Sequence, residues 1–370
     1  MTPAVGRVLV VNAGSSTLKL ALLGPDDAVE LAHEIDAWAG TADASVVEPF
    51  GPALRTVDAV GHRVVHGGAE FRAPTVLDAT VLERIDALTP LAPLHQPRAL
   101  AAIRAVATAL PAIPAVACFD TAFHATLPES AATYALPEEW RRRWGLRRFG
   151  FHGLSHRYAS ARAAELTGGR LADLRVVSCH LGAGASLCAV AGGRSVDTTM
   201  GFTPLDGLVM STRAGSVDPG LVLWLVTDAG LAAEDVARAL ESRSGLAGLT
   251  GTSGDLRDVL VAAAAGDGRA RLGLGVYTHR LRREIAGMVA ALGGLDVLVF
   301  TGGVGEHQPA IRAAAADGLA FLGVALDPDR NATTTADGEI TAGGAPVRTV
   351  VVTSREDLEI ARQVRGALGR

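Results

Sequence analysis

The chain has 370 residues and a formal net charge of −5, enough length for two ordinary domains. Hydrophobic residues make up 49% of it and charged residues 20%, a globular composition that excludes a disordered chain. No apolar segment reaches the roughly 18 residues of a membrane span, no signal sequence is recognised, and the negative charge disfavours nucleic acid as a partner. We therefore expect a cytoplasmic protein.

The basic residues are unusual, because Lys19 is the only lysine among 34 lysines and arginines. Lys19 lies between two leucines, which excludes a Walker A loop and the protein-kinase lysine motif. Asparagine is almost as rare, with Asn12 and Asn331 alone. The cysteines are odd in number and lack CxxC spacing, which predicts buried thiols in a reducing compartment; they are Cys118, Cys179 and Cys188.

The first part of the chain predicts strands around a small-residue turn, followed by an alanine-rich helix. We predict strands over residues 8–11, 18–23, 57–65 and 115–119, and the helix over 97–110.

The second part repeats this opening, with a strand over 175–179, a Gly/Ala/Ser turn over 182–186 and a strand over 187–190. Helices are predicted over 219–229, 233–242, 256–265, 269–292 and 356–368, and a strand over 297–300 runs into a glycine loop at 302–305. The two similar openings predict an α/β protein made of duplicated halves that face each other across a cleft.

The first turn, Asn12–Lys19, has the composition of a phosphate-binding loop. Its small residues allow backbone N–H groups to turn toward an anion, and Ser15, Ser16 and Thr17 add hydroxyl donors. Lys19 lies two residues after Thr17 on the outgoing strand and therefore points the same way. An ordinary polar hairpin turn is the alternative.

Histidines and arginines in glycine-rich segments give the second signal. Eight of the ten histidines lie in compact motifs, and none forms the HExxH pattern of a zinc site. Arg63 precedes Gly67-Gly68, and Arg213 lies in Ser211–Gly215. A guanidinium grips a carboxylate or phosphate bidentately, so these motifs favour anion chemistry over metal chelation. For any one arginine, a surface ion pair remains the alternative.

Together these motifs resemble the acetate kinase (acetokinase) family, in the superfamily of acetate and sugar kinases, heat-shock ATPases and actin. From residue 11 to 362 the matching stretches are VNAGSSTLK, GHRVVHGG, PLAPLHQP, FDTAFHATLP, RRFGFHGLSH, HLGAGAS, VDTTMGFTPLDGL, STRAGSVDP, GDLRDV, FTGGVGEH and EDLEIAR. The resemblance implies two ribonuclease-H-like, actin-like ATPase domains, over 1–124 completed by a helix at 358–370, and over 125–357. It also implies a homodimer.

The implied reaction is a direct, reversible, in-line phosphoryl transfer from ATP to acetate, which needs alignment and charge neutralisation. By resemblance, Asn12 and Glu356 would hold Mg²⁺, with Mn²⁺ as the alternative ion and Asp357 as the alternative to Glu356. Arg63 would bind the acetate carboxylate. The implied catalytic residues are Asp120, as proton donor or acceptor or as an orienting group, and His152 and Arg213, which would stabilise the transition state.

The resemblance also implies contacts to ATP or ADP and a small apolar acyl pocket. The nucleotide residues are Lys19, His180, Leu181, Gly182, Ala183, Gly184, Asp255, Leu256, Arg257, Gly303, Val304, Gly305, Glu306 and His307. The pocket residues are Val65, Leu94, Phe151 and Pro204. One methylene changes discrimination by only ~1–3 kcal/mol, so a propionate or butyrate kinase is an alternative.

The chain departs from the family pattern at three positions where relatives have asparagine. Ala183 lies in the second phosphate loop, His307 ends the nucleoside segment, and Arg355 precedes Glu356. Composition drift is one explanation, and a different phosphoryl donor is the other. A nucleotide-driven switch without transferase activity is a further hypothesis, but Arg63 and Asp120 argue against it.

Overall fold

A computed structural model describes residues 5–14 and 17–369, so Ser15 and Ser16 of the first predicted loop lie outside the described residues. The strands are β1 Val8–Ala13, β2 Leu18–Leu23, β3 Val29–Ile35, β4 Ala59–Val64, β5 Thr75–Val76, β6 Ala115–Phe119, β7 Arg175–Leu181, β8 Ala185–Ala191, β9 Arg194–Thr198, β10 Val297–Thr301, β11 Gly338–Glu339 and β12 Arg348–Val351.

Helices connect and cover these strands. They are α1 Ala79–Asp86, α2 Gln96–Ala109, α3 Glu129–Ala132, α4 Glu138–Trp144, α5 Gly153–Thr167, α6 Pro219–Thr227, α7 Ala233–Ser242, α8 Gly245–Thr250, α9 Leu256–Ala264, α10 Gly268–Leu292, α11 Gly302–His307, α12 Pro309–Asp317, α13 Pro328–Thr333 and α14 Glu356–Leu368. No helix in the described ranges is long and apolar enough to cross a membrane.

The strands form two six-stranded sheets with the same connectivity. The first has the order β3-β2-β1-β4-β6-β5, and the second has the order β9-β8-β7-β10-β12-β11. Each sheet starts with an antiparallel meander, β1-β2-β3 or β7-β8-β9, continues with two parallel pairs and ends with an antiparallel edge strand, β5 or β11. The predicted α/β architecture with duplicated halves is confirmed by this shared strand order.

The chain divides into two compact units. Unit 1 contains residues 1–125, 151–158 and 355–370, and unit 2 contains 126–150 and 159–354. The segment 151–158 groups with unit 1, whereas the predicted second domain, 125–357, contains it.

The central strands of the unit 1 sheet are rich in valine and leucine, and most of these side chains are buried. β1 is buried along almost its whole length, as expected for a strand covered on both faces. Helix α14 packs on this sheet at Gly61, where an added Cβ would lie 2.5 Å from Ile360 Cγ2. Only glycine permits this close approach of helix and strand. The packing places Glu356, the first residue of α14, beside the ends of the parallel strands.

In unit 2, the long helix α10 has clear sequence signals at both ends. The Asp267 carboxylate accepts a hydrogen bond from the backbone N–H of Ala270, which is an N-cap. Gly293 ends the helix with a φ of 66°, the left-handed conformation that glycine adopts without strain.

All three cysteines are buried thiols, as predicted.

One predicted loop is a helix. Residues 302–305 were expected to be a glycine loop, but they begin the helix α11 Gly302–His307. The prediction was wrong because glycine weakens helices by roughly 1 kcal/mol per residue, whereas here tertiary contacts from α12 hold the segment. The strands β3, β5, β9, β11 and β12 were not predicted.

Candidate active site

A cluster of polar side chains lies at the carboxyl ends of three neighbouring strands in unit 1. Asn12 is near the end of β1, Arg63 is near the end of β4, and Asp120 follows β6 directly. β1 pairs parallel with β4, and β4 with β6, so the three strands end at one edge. Ligands of open α/β sheets bind at this edge, and sequence reasoning placed Asn12, Arg63 and Asp120 in the site.

Arg63 is the centre of this cluster. Its Nη2 donates to Asp120 Oδ2 at 2.6 Å, and its Nε lies 3.1 Å from Asp120 Oδ1, a bidentate arrangement. Its Nη1 donates to Asn12 Oδ1 at 3.1 Å. Asn12 Nδ2 then donates to Glu356 Oε2 at 3.2 Å. The network therefore joins residues that are 344 positions apart in the chain.

Burial controls the charges in this cluster. The Asp120 side chain is 1% exposed and that of Arg63 15%. Burial raises the pKa of Asp120, the Arg63 guanidinium counteracts part of this rise, and Glu356 adds to it. Burial alone would lower the pKa of Arg63, but Asp120 and Glu356 outweigh it and raise that pKa. Arg63 therefore remains a cation, and Asp120 is more basic than an exposed aspartate.

His152 is held beside Asp120 by a tight backbone contact. The N–H of Gly153 donates to the carbonyl oxygen of Asp120 at 2.9 Å. His152 has a φ of 56°, a conformation that non-glycine residues seldom adopt. Such strain persists where the surroundings impose it and is concentrated at functional sites. The structure thus brings the backbones of two predicted catalytic residues together.

Lys19 lies on the second strand of the opening hairpin. It is directly opposite Asn12 in the antiparallel pairing of β1 and β2, so the two side chains share a face of the sheet. The Lys19 side chain is 59% exposed, and its Nζ lies 3.3 Å from Glu34 Oε1. An exposed ion pair contributes little to stability, which leaves the lysine available to an anionic ligand.

The predicted acyl-pocket residues have different environments. Val65 and Phe151 are buried in unit 1, and the Phe151 ring lies edge-on to His66 with centroids 5.4 Å apart. Leu94, also in unit 1, is 58% exposed. Pro204 lies in unit 2, where its carbonyl oxygen accepts a hydrogen bond from Arg213 Nη1 at 3.4 Å.

In unit 2, the predicted second phosphate loop is the tight turn between β7 and β8. Leu181 pairs with Ala185, and the N–H of Gly182 donates to the carbonyl of Gly184 at 3.1 Å. His180 is half-buried at the end of β7. The Leu181 side chain is fully buried, so this residue can contribute only its backbone to a ligand. The turn has the same place in its sheet as the loop after β1 in unit 1.

The segment that carries Arg213 is attached to this turn. The N–H of Ser211 donates to the carbonyl of Ala183 at 3.1 Å. Arg213 makes no ion pair with a carboxylate among the residues that the structure describes; Nη1 has only a long contact to Pro204 O and one to Met210 Sδ at 3.8 Å. Burial lowers its pKa, and Glu241 partly restores it. A half-buried guanidinium without a carboxylate partner is suited to an anionic ligand.

The two predicted nucleoside segments lie near the turn between β7 and β8. A Cβ added on Gly254, next to Asp255, would lie 2.3 Å from the carbonyl oxygen of Ser211, and the N–H of Ser211 donates to Ala183 of that turn. Thr301, which precedes α11, pairs with His180 across β10 and β7. Asp255 is the N-cap of α9, and its carboxylate forms a bidentate pair with Arg257 at 2.6 Å, which lowers the pKa of Asp255.

The side chains of these two segments differ in exposure. Leu256 and Glu306 are buried, whereas Gly303 and His307 are exposed. Val304 is half-buried, and Gly305 is buried against Phe300.

The donor set at Asn12 and Glu356 suits a divalent cation that shares its coordination with water and phosphate. In the described ranges, no group of three or more His, Cys, Asp and Glu residues is arranged to hold a metal. Asn12 and Glu356 offer an amide oxygen and a carboxylate within one hydrogen-bonded pair. Mg²⁺ typically uses one or two carboxylates together with substrate phosphates, so these residues fit the predicted role.

Sequence reasoning did not single out Gly153. An added Cβ there would lie 2.2 Å from the carbonyl oxygen of Asp120, so only glycine fits. The motif Phe151-His152-Gly153 contained the signal, since a glycine after a candidate catalytic histidine often marks a close backbone approach. No sequence pattern predicts the positive φ of His152.

Comparisons with known proteins show which family this chain is similar to. The sequence model of the acetokinase family matches residues 46–362. The acetate kinase of Trichormus variabilis is 44% identical over 405 aligned positions, which cover 98% of this chain and all of that protein.

Among solved structures, acetate kinase from Porphyromonas gingivalis superposes with a TM-score of 0.91 at 35% identity, over 98% of this chain and all of that one. A propionate kinase from Francisella tularensis gives 0.90 at 35% identity, over 98% of this chain and 99% of that one.

Proposed function

The chain belongs to the acetokinase family, and we propose that it is an acetate kinase that transfers a phosphoryl group reversibly between ATP and acetate. The Arg63–Asp120 network at the carboxyl ends of β1, β4 and β6 carries this proposal. A nucleotide switch without transferase activity needs no carboxylate clamp, whereas a carboxylate kinase does.

Acetate binds to Arg63 in this proposal. The contacts of Arg63 with Asp120 and Asn12 leave further guanidinium N–H groups for a carboxylate. We propose that the apolar side chains of Val65, Leu94 and Phe151, all in unit 1, contact the methyl group. Asp120 fixes the guanidinium plane, because a bidentate pair restricts rotation about the arginine side chain. The acceptor oxygen is thereby oriented for in-line attack on the γ-phosphorus.

ATP is bound mainly by unit 2. The turn at His180–Gly184 contacts the phosphates, and the segments at Asp255–Arg257 and Gly303–His307 contact the nucleoside. The exposed ammonium of Lys19 is available to a phosphate oxygen. Arg213 and His152 stabilise the negative charge on the equatorial oxygens in the transition state. Among the described residues the Arg213 guanidinium has no carboxylate partner and contacts only Pro204 O and Met210 Sδ, which supports this role.

We propose Mg²⁺, with Mn²⁺ as the alternative, as the divalent ion at Asn12 and Glu356. When bound, it neutralises phosphate charge on the nucleotide. We also propose a cytoplasmic location, which the three buried thiols support.

We further propose a homodimer formed through unit 2. Helix α6 has no buried residue although its sequence, PGLVLWLVT, is almost entirely apolar. Leu223 is 65% exposed and Trp224 54%. Apolar surface of this kind marks protein interfaces, and a second copy of the chain would cover it. A monomer mass by light scattering at micromolar concentration contradicts the homodimer.

The test of the proposed function is acyl phosphate formation by purified protein with Mg²⁺-ATP and a series of carboxylates, trapped as hydroxamates. We expect the highest kcat/KM with acetate. A higher kcat/KM for propionate supports the second candidate, which the superposition on a propionate kinase favours. Absence of product with every short-chain carboxylate and phosphoryl donor refutes a carboxylate kinase.

A further inference from the structure

Arg312, on α12, is a fully buried charge that the catalytic proposal does not use. Its side chain is the largest of those that are completely buried, and its pKa is lowered by burial. Burying a cation is unfavourable unless its N–H groups are all well bonded. Among the described residues no carboxylate pairs with Arg312, so oxygen atoms of neutral groups must provide the compensation.

These oxygen atoms come from two segments. Arg312 Nη1 donates to the carbonyl oxygens of Gly305 and Glu306, at 2.9 and 2.7 Å. Nε donates to Asn331 Oδ1 at 2.8 Å, and Nη2 to the Asn331 carbonyl at 2.6 Å. One guanidinium therefore links the end of α11 to helix α13.

The two carbonyls at Gly305 and Glu306 belong to the last turn of α11, where a helix leaves carbonyl groups without intrahelical partners. A cation at this end also interacts favourably with the helix dipole. α11 has only six residues, three of which are glycine, so its intrinsic helix propensity is poor. Contacts from outside the helix must hold it in shape.

Two other contacts fix the position of α11. At its start, an added Cβ on Gly302 would lie 2.7 Å from the carbonyl oxygen of Leu181, so the helix begins in close contact with the β7 end. At its end, Glu306 Oε1 accepts a hydrogen bond from Ser354 N at 3.0 Å. In contrast, a Cβ on Gly303 would meet nothing within 4 Å. The side of α11 at Gly303 is open, and the opposite side is anchored.

Asn331 is suited to its part in this anchor. While Oδ1 accepts from Arg312, Nδ2 donates to the carbonyl of Pro309 at 2.9 Å, so both ends of the amide are bonded. It is 5% exposed. The chain contains two asparagines in total; Asn12 is in the proposed active site, and Asn331 is the other. The two asparagines of this chain therefore lie in the proposed active site and in the anchor of α11.

We propose that Arg312 and Asn331 are positioning residues that set the affinity for the nucleotide by holding α11 in place. This inference rests on the proposed function, because it takes Gly303–His307 as the nucleoside-binding segment. Both residues belong to unit 2, whereas the proposed acetate-binding residue Arg63 belongs to unit 1, so we expect acetate binding not to depend on them.

The test compares Asn331→Ala with wild type and with Thr333→Ala, an exposed residue on the same helix. We expect Asn331→Ala to raise KM for ATP about tenfold, which is about 1.4 kcal/mol, and to weaken calorimetric ADP binding equally. KM for acetate should change less than twofold. Asn331→Asp keeps an oxygen for Arg312 Nε and should recover part of the ATP affinity. Thr333→Ala should match wild type.

The proposal is overturned if Asn331→Ala binds ADP as wild type does, or if KM rises equally for ATP and acetate. If Asn331→Ala does not fold, Asn331→Leu, which keeps the side-chain volume but removes the oxygen that accepts from Arg312 Nε, is judged by the same two criteria. Wild-type protein that makes no acyl phosphate refutes the proposed function instead. ADP calorimetry on the variants still decides the positioning role in that case.

Discussion

Replacing Gly153 by alanine tests whether the backbone contact between the Asp120 and His152 segments matters for catalysis. The new Cβ would lie 2.2 Å from the carbonyl oxygen of Asp120 and 2.8 Å from Phe123 Cβ, whereas ordinary van der Waals contacts begin at 3.4 Å. The backbone of either segment must therefore move by about 1 Å. A displacement of that size at reacting groups lowers the rate about 10²-fold.

Stability should also decrease, by about 1–3 kcal/mol for an overpacked site. Steady-state kinetics with ATP and acetate would give kcat and both KM values, and urea unfolding would give the free energy of unfolding. The control is Gly287→Ala on α10, where an added Cβ meets nothing within 4 Å and should not destabilise the helix. If Gly153→Ala has a kcat within about threefold of wild type, the two segments need not be in the observed contact.

Three further predictions concern single side chains. Arg213→Ala should lower kcat by ~10²-fold or more with a smaller change in either KM, because its charge acts mainly in the transition state; an unchanged kcat in steady-state kinetics contradicts that role. Lys19→Arg should lower activity with ATP, and near-normal kcat/KM would show that an arginine serves equally well. Burial lowers the pKa of His62 to about 3, so the unfolded chain binds a proton below about pH 6.5 that the folded chain does not, and stability falls by up to about 5 kcal/mol between pH 6.5 and 3. His62→Gln should flatten the unfolding free energy over this range in urea titrations, and an unchanged slope would show that His62 does not cause the loss.

Much of the fold could be predicted because local patterns and tertiary structure agree. The apolar run of β2 and the amphipathic spacing of α14 gave bounds that the structure reproduces at 18–23 and 356–368. The edge strand β3 was missed although Val29 and Leu31 alternate with Glu30, a period of two that indicates a strand. β5 and β11 have two residues each, too few for any periodicity.

The candidate site was predicted residue by residue, but its contacts were not. Motifs identified Asn12, Arg63 and Asp120, whereas the bidentate pair and the link to Glu356 depend on which strands are neighbours. α11 shows the limit of local reasoning most clearly, because its glycines favour a loop. A buried arginine ten residues after Gly302 holds it as a helix, and nothing local distinguishes Arg312 from the exposed arginines of this chain.

The most direct test of the central claim is ADP release by the purified protein, measured in the presence of Mg²⁺-ATP as acetate is increased from zero. The proposed network at Arg63 and Asp120 predicts negligible release without a carboxylate and saturable release with acetate. Steady ATP hydrolysis that is indifferent to acetate would contradict a carboxylate site at Arg63 and would favour a nucleotide switch.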